Sequence, residues 1–336
     1  MMTDGLDHGL VDLAAARVGG KAILANDEFF APKDNLIKPG RGVFIEGRYT
    51  SRGKWMDGWE TRRRRTPGYD WCIVRLGIAG VIHAATVDTN HFRGNYPESC
   101  SLEAADLTAS PKQEQKSLAR AAWREILPRT ALTGDTENRF PIPSSDRFRY
   151  VRLNIFPDGG VARLRVWGEA RPDWTALIAA GERLDLASVQ LGALPLGSSD
   201  QFYSDPLNLL MPGSSTDMGD GWETKRRRGP GHDWVIIRLG HRGSIEAVVV
   251  DTTHFKGNFP ESCRLEALDA PNLGRSEPPG ESATWRELVP RTKLRANAPH
   301  RFRAVGRSGP VTHVRLSIFP DGGVARLRIY GKPVDR

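Results

Sequence analysis

Residues 151–168 read VRLNIFPDGGVARLRVWG, and this stretch decides the fold. Val151, Leu153 and Ile155 alternate with polar neighbours, as do Ala162, Leu164 and Val166, so each run has one apolar face at the period of a strand. Between them stands Pro157-Asp158-Gly159-Gly160, a turn that neither a helix nor an uninterrupted strand would carry. The reading is two antiparallel strands joined as a hairpin.

The same hairpin is written again at 314–331 as VRLSIFPDGGVARLRIYG, with 15 of 18 positions kept. Working outward, MDGWETRRRRTPGYDWCIVRLG at 56–77 returns as GDGWETKRRRGPGHDWVIIRLG at 219–240. DTNHFRGNYPESCSLEA at 88–104 returns as DTTHFKGNFPESCRLEA at 251–267, and WREILPRTAL at 123–132 returns as WRELVPRTKL at 285–294. A shift near 163 residues is a duplicated domain, because solenoid repeats run only about 20–50 residues. The copies differ near their starts. DEFFAPKDN at 27–35 matches DQFYSDPLN at 200–208, so the first copy carries about ten further residues, including GRYTSRGK.

WCIVRL at 71–76 and VIHAATV at 81–87 read as two more strands with a glycine-bearing turn between them. Helical periodicity is confined to short pieces such as 10–17. Many short strands with frequent turn signals predict an all-β chain of two tandem β-sandwich or jelly-roll domains. The expected division is a first repeat over 17–168, a linker over 169–196 with a turn or two of helix, and a second repeat over 197–332.

A chain of 336 residues with 39% apolar and 26% charged residues has room for two cores of ordinary size. No run approaches the ~20 apolar residues that span a bilayer. The first twenty residues carry Asp4, Asp7 and Asp12 and lack a secretory pattern, and the last four are not a peroxisomal signal, so a cytoplasmic location is expected. Cys72, Cys100 and Cys263 form an odd, sparse set without metal-binding spacing, and read as reduced, buried thiols. Net charge is +8, which suits a small anion or a polyanion. The arginines are spread along both repeats, which favours local anion sites and disfavours a nucleic-acid surface. Nucleotide-binding, P-loop, zinc-protease and serine-hydrolase signatures do not occur in credible context.

Three constellations could carry chemistry. Asp88, His91, Asn95 and Glu98, with Asp251, His254, Asn258 and Glu261, place two carboxylates, an imidazole and an amide at a strand end. A histidine beside an aspartate suits a general base or one metal ligand, though Asx capping of a turn reads equally well. In the second, Trp59 and Glu60 precede Arg62 to Arg65, and Trp222 and Glu223 precede the matching run. Tryptophan offers a flat wall and arginine a planar fork for a carboxylate. Alternation sends Arg63 and Arg65 one way and Arg62 and Arg64 the other. In the third, Arg163 and Arg165, or Arg326 and Arg328, follow the Asp-Gly-Gly turn, either as an outward face or beside the histidine loop. Trp123 reads as core.

Taken together, DGWETRRRR-x-P-G-x-DW, D-x-x-HF-x-GN-x-P, W-x-x-[IL]-x-P-x-x-x-L and RL-x-IFPDGG-V-ARLR-[VI]-[WY]-G resemble the repeat motifs of the allantoicase family. Each occurs twice, and they span nearly the whole chain. The resemblance implies tandem galactose-binding-like sandwiches that hydrolyse allantoate to ureidoglycolate and urea in purine catabolism. The leaving urea needs a proton, the water a base and the carboxylate an anchor, which assigns His91 or His254 as acid/base oriented by Asp88 or Asp251, and Glu60 or Glu223 as a second acid/base or as holder of a ureido NH. Arg163 and Arg165, or Arg326 and Arg328, then clamp the carboxylate. Trp59, Arg63, Arg65, Asn95, Trp222 and Asn258 complete the substrate-binding set. A divalent metal such as Mn²⁺ suits the Asp/His/Glu cluster, without named ligands. The expected partner is the small-molecule substrate within a homo-oligomer, with no nucleic acid and no membrane. The rival is a carbohydrate- or anion-binding module without catalysis.

Overall fold

In the computed structural model the described residues are 9–108, 110, 112–303 and 309–334. The first eight residues and the last two, on which the reading of the termini rests, lie outside them. The chain divides into two compact units at Arg171/Pro172. Among the described residues no helix is long and apolar enough to cross a membrane.

The first unit is built on one strand, Asp70–Asp88. Residues 71–76 and 81–87 are therefore one element and not two strands joined by a turn. The first half pairs antiparallel with Arg147–Phe156 and with Lys21–Ala25. The second half pairs with Arg163–Ala170 and Glu137–Pro141. The changeover falls at the glycines that read as a turn. A Cβ on Gly80 would lie 2.1 Å from the Glu169 carbonyl oxygen, so glycine lets two backbones close up while the strand bends from one set of partners to the other. Arg147–Phe156 also pairs with Ser99–Ala105, which pairs with Arg124–Ala131. The eight strands close over an apolar core and form a β-sandwich.

Alternation in the deciding stretch holds. Val151, Leu153, Ile155, Ala162 and Leu164 are fully buried and Val166 nearly so. The three cysteines are buried and free, and burial raises the thiols of Cys100 and Cys263 to about 12. Trp123 is only half-buried, packed near Ile73, Leu118 and Tyr150 with the Arg152 guanidinium 4.9 Å above its ring. Residues 10–17 form the two-residue strand Val11–Asp12 and the start of a 3₁₀ turn, not a helix, because Asp12 binds the Val166 amide and draws the segment to the sheet.

The second unit repeats this plan on Asp233–Asp251, which pairs with Val311–Phe319, Leu194–Ser198, Arg326–Pro333 and Pro299–Arg303. The segment 169–196 is more structured than a linker. Arg163–Ala170 runs into it, and Trp174–Ala180 is a helix capped by the Asp173 carboxylate. Leu184–Asp185 and the start of Leu194–Ser198 belong to the second sheet.

The hairpin turn sets the site end of each unit. A Cβ on Gly160 would fall 1.9 Å from a ring carbon of Phe92, and one on Gly159 would fall 2.7 Å from the Pro97 nitrogen, at a φ of +140°. The Gly160 amide donates to the Asn95 carbonyl at 2.8 Å. The turn is therefore pressed against the loop that carries His91 and Asn95. Gly160→Ala is expected to destabilise the first unit by about 1–3 kcal/mol through overpacking. Gly94→Ala, whose Cβ meets nothing within 4 Å, is expected to stay within about 0.5 kcal/mol. Denaturant titration of the two variants checks the contrast.

Candidate active site

Trp59–Glu60 forms a two-residue antiparallel pair with Gly160–Val161. Alternation turns Trp59 inward, where it is fully buried and donates from Nε1 to the Asp27 carbonyl at 2.8 Å. Glu60 consequently points the other way. Asn95 Nδ2 donates to Glu60 Oε1 at 2.7 Å, joining the strand pair to the His91–Asn95 loop. Burial raises the Glu60 carboxyl above its ordinary value, and the Asn95 hydrogen bond offsets only part of that. Thr61 and Asp158 complete the frame, with Thr61 Oγ1 accepting from the Gly159 amide at 3.2 Å and Asp158 accepting from the Arg64 amide at 2.8 Å.

The second unit builds the same corner. Glu223 is hydrogen-bonded by Asn258 Nδ2, and Asp321 accepts from the Arg227 amide at 2.8 Å. A cleft of about 470 Å³ opens here, lined by Glu223, Asn258, Arg226, Lys293, Tyr203 and Asp321 among others. That volume lies within the range of small-molecule sites.

Several expected substrate contacts are structural instead. Trp59 and Trp222 are fully buried, with their indole nitrogens on backbone carbonyls, and offer no wall to a ligand. Arg163 is buried, with its guanidinium on the Asp57 carboxylate at 2.6 Å and on the Asp57 and Ala162 carbonyls. Arg326 repeats this with Asp220 at 2.7 Å. Arg165 reaches Asp12 and the Gly40 carbonyl, and Arg328 reaches the Met211 and Gly213 carbonyls at 2.7 Å. None of these four is free to clamp a substrate. Each ties a connecting loop to the sheet. Within the arginine run the alternation survives without a strand, in pairing and not in exposure: Arg62, itself exposed, pairs with Asp27 and Arg64 with Asp70, each at 2.7 Å, while Arg63 and Arg65 form no ion pair among the described residues. Arg226, the copy of Arg63, lines the second-unit cleft.

The histidine loop is also held together differently from the expected dyad. Asp88 Oδ1 accepts the Asn90 amide at 2.8 Å, an Asx cap, and Asp251 does the same for Thr253 at 2.9 Å. His91 takes φ +69°, its amide held by Asp135, and its Nε2 donates to the Gly42 carbonyl at 3.2 Å. His254 does likewise, to the Ser215 carbonyl at 3.0 Å, and does not line the cleft. The aspartates cap turns, so they do not orient these imidazoles. Burial, more than any other influence, raises the Asp88 carboxyl. Among the described residues no group of three or more His, Cys, Asp or Glu side chains is placed to hold a metal ion.

Sequence reasoning missed Tyr203, Lys293 and the carboxylate partners Asp57 and Asp220. The first two stand where the copies diverge, against Phe30 and Ala131, which the aligned repeats display. The partners are invisible because the ion pairs join positions 106 residues apart.

The allantoicase repeat profile matches residues 11–171 and 184–334. A "Probable allantoicase" of Pseudomonas aeruginosa (strain UCBPP-PA14) is 48% identical over 326 residues, covering 96% of both chains. One of Stutzerimonas stutzeri is 46% identical over 325 residues, again covering 96% of both. The chain belongs to the allantoicase family. The crystal structure of allantoicase from Saccharomyces cerevisiae is similar at a TM-score of 0.78 and 34% identity, covering 96% of this chain and 93% of that one. The tandem β-sandwich that the resemblance implied is thus the fold of this allantoicase-family chain, and family membership favours a hydrolase over a non-catalytic module.

The buried ion pair yields a sharp expectation. Burial alone would raise the Asp57 carboxyl, but the hydrogen bond and charge of Arg163, the Val43 amide and Lys38 together hold it below its ordinary 3.8. A lowered folded-state value means that the stabilisation is complete above the ordinary value and is lost as pH falls through the folded one. Arg163→Ala is expected to cost about 3–5 kcal/mol of stability with KM unchanged in the folded enzyme. Asp57→Asn should flatten the acid limb of the unfolding profile. Thermal melts across pH, with kinetics below the melt, check both.

Proposed function

We propose that the chain hydrolyses allantoate to ureidoglycolate and urea, and that the acid/base group is the glutamate of the Glu60–Asn95 and Glu223–Asn258 pairs. The observation that supports the activity is relatedness over 96% of both chains to proteins named as allantoicases.

Allantoate carries one carboxylate and two planar ureido groups on a single carbon. Hydrolysis adds water oxygen to that carbon and breaks its bond to one ureido nitrogen, which leaves as urea once it has gained a proton. Burial makes the Glu60 carboxyl less acidic than an ordinary one, which suits it to hold and give such a proton. The amide of Asn95 or Asn258 fixes one carboxyl oxygen and leaves the other for the substrate. The carboxylate that remains can then take a proton from the attacking water. Arg226 at the cleft supplies positive charge for an anionic substrate. No step is assigned to a metal, for want of an assembled ligand set among the described residues. The assay is run with and without added Mn²⁺ so that a metal requirement does not mask turnover.

The expected result is urea release from allantoate at enzymatic rate by the purified protein. Replacing Glu60 and Glu223 together by Gln should lower kcat by about 10²–10⁴. His91→Ala with His254→Ala should cost less, because these imidazoles anchor loops. No urea under any metal condition would discard the reading. A larger loss from the histidine pair than from the glutamate pair would return the acid/base role to the histidines.

A further inference from the structure

The two repeats share the glutamate–asparagine corner, yet their surroundings are not equivalent. Of the thirteen positions lining the second-unit cleft, three differ from the first repeat: Tyr203 for Phe30, Phe259 for Tyr96, and Lys293 for Ala131. Only the last changes charge. Lys293 stands opposite Ser262 in the strand ladder, as Ala131 stands opposite Ser99, so the register places the two side chains at the same point of each unit.

The charges around that point are largely satisfied. Asp321 is occupied by the Arg227 amide. Glu261 is paired with Arg291 at 3.3 Å, and its carboxyl is held below the ordinary value, first by Ser262 and then by Arg291 and Lys293. Glu223 is engaged by Asn258. Among the described residues Arg226 and Lys293 form no ion pair, whereas neighbouring Lys225 and Arg227 pair with Asp200 and Asp233. Two cations without an ion pair among the described residues, Lys293 within Coulombic reach of Glu261, therefore face a cleft whose polar corner is a carboxyl–amide pair.

We infer that Lys293, with Arg226, anchors the carboxylate of a ureido acid in the second-repeat cleft, and that the first repeat, with Ala131, lacks this anchor. The substrate class rests on the reaction proposed above. The carboxylate sits on the Arg226–Lys293 side and a ureido group on the Glu223–Asn258 side, so the repeats are functionally unequal despite their shared frame. Lys293 is exposed at the cleft and makes no structural hydrogen bond, so its removal leaves the fold intact.

The test separates the anchor from the reaction. Hydantoate has the carboxylate and one ureido group but lacks the second ureido group that would leave, and its binding is read by calorimetry whether or not the protein turns over allantoate. Lys293→Ala is expected to weaken hydantoate binding roughly ten- to hundredfold, the scale of a lost charge-assisted contact. Lys293→Arg should retain most of the affinity. The primary amide of hydantoate should bind wild type and Lys293→Ala equally. With allantoate, Lys293→Ala should raise KM by the same factor and leave kcat nearly unchanged, and Ala131→Lys added to Lys293→Ala should restore part of the hydantoate affinity by placing the anchor in the first repeat. Equal hydantoate binding by wild type and Lys293→Ala, or no binding by either, overturns the anchor even if urea is released. Anchor-dependent binding without urea release keeps the anchor and discards the reaction.

Discussion

Each unit hangs on the contact between one phenylalanine ring and two glycines. Phe92 is fully buried against Gly160 of the hairpin turn and Gly58 of the Asp-Gly-Trp-Glu segment, closer than any Cβ would allow, and Phe255 repeats this with Gly323 and Gly221. That contact brings three separate motifs to one end of the sandwich. Once the ring is seated, the Gly160 amide meets the Asn95 carbonyl, and the Asn95 side chain meets Glu60. A larger residue at either glycine would push the loop and the strand pair apart and disconnect the amide from the carboxyl. The motifs recur in both copies as partners in one packed corner.

Much of this was legible in the sequence. The alternation in 151–168 located two core strands correctly, the duplication gave the two units, and the buried cysteines followed from their sparse, unpaired pattern. The misreadings share a physical cause. At 77–80 glycine reads as a turn signal, although its role is to let a bent strand meet a neighbouring backbone. Arg163 and Trp59 carry chemical groups suited to a ligand, and nothing local reveals that each is spent on a distant carbonyl or carboxylate. His91 and Asp88 are three residues apart, yet the left-handed turn at His91 sends the imidazole to Gly42 while the aspartate caps the turn amide.

The excess of positive charge takes on a different meaning once partners are known. Arg62, Arg64, Arg163 and their copies serve carboxylates or carbonyls of the same unit, so the count of 48 Lys and Arg residues overstates the cations offered to a ligand. What matters for binding is the few cations left over at a cleft. Duplication made it possible to find one of them, because a shared frame turns a single exchange, Ala131 against Lys293, into a visible difference in chemistry.

The central claim is that the glutamate–asparagine corner, and not the histidine loop, is where substrate sits. A crystal structure of the protein soaked with hydantoate tests it most directly. The account predicts the ureido group within hydrogen-bonding distance of Glu223 and Asn258. A ligand bound instead against His254, Asp251 and Arg328, with the cleft beside Glu223 holding only solvent, would contradict it.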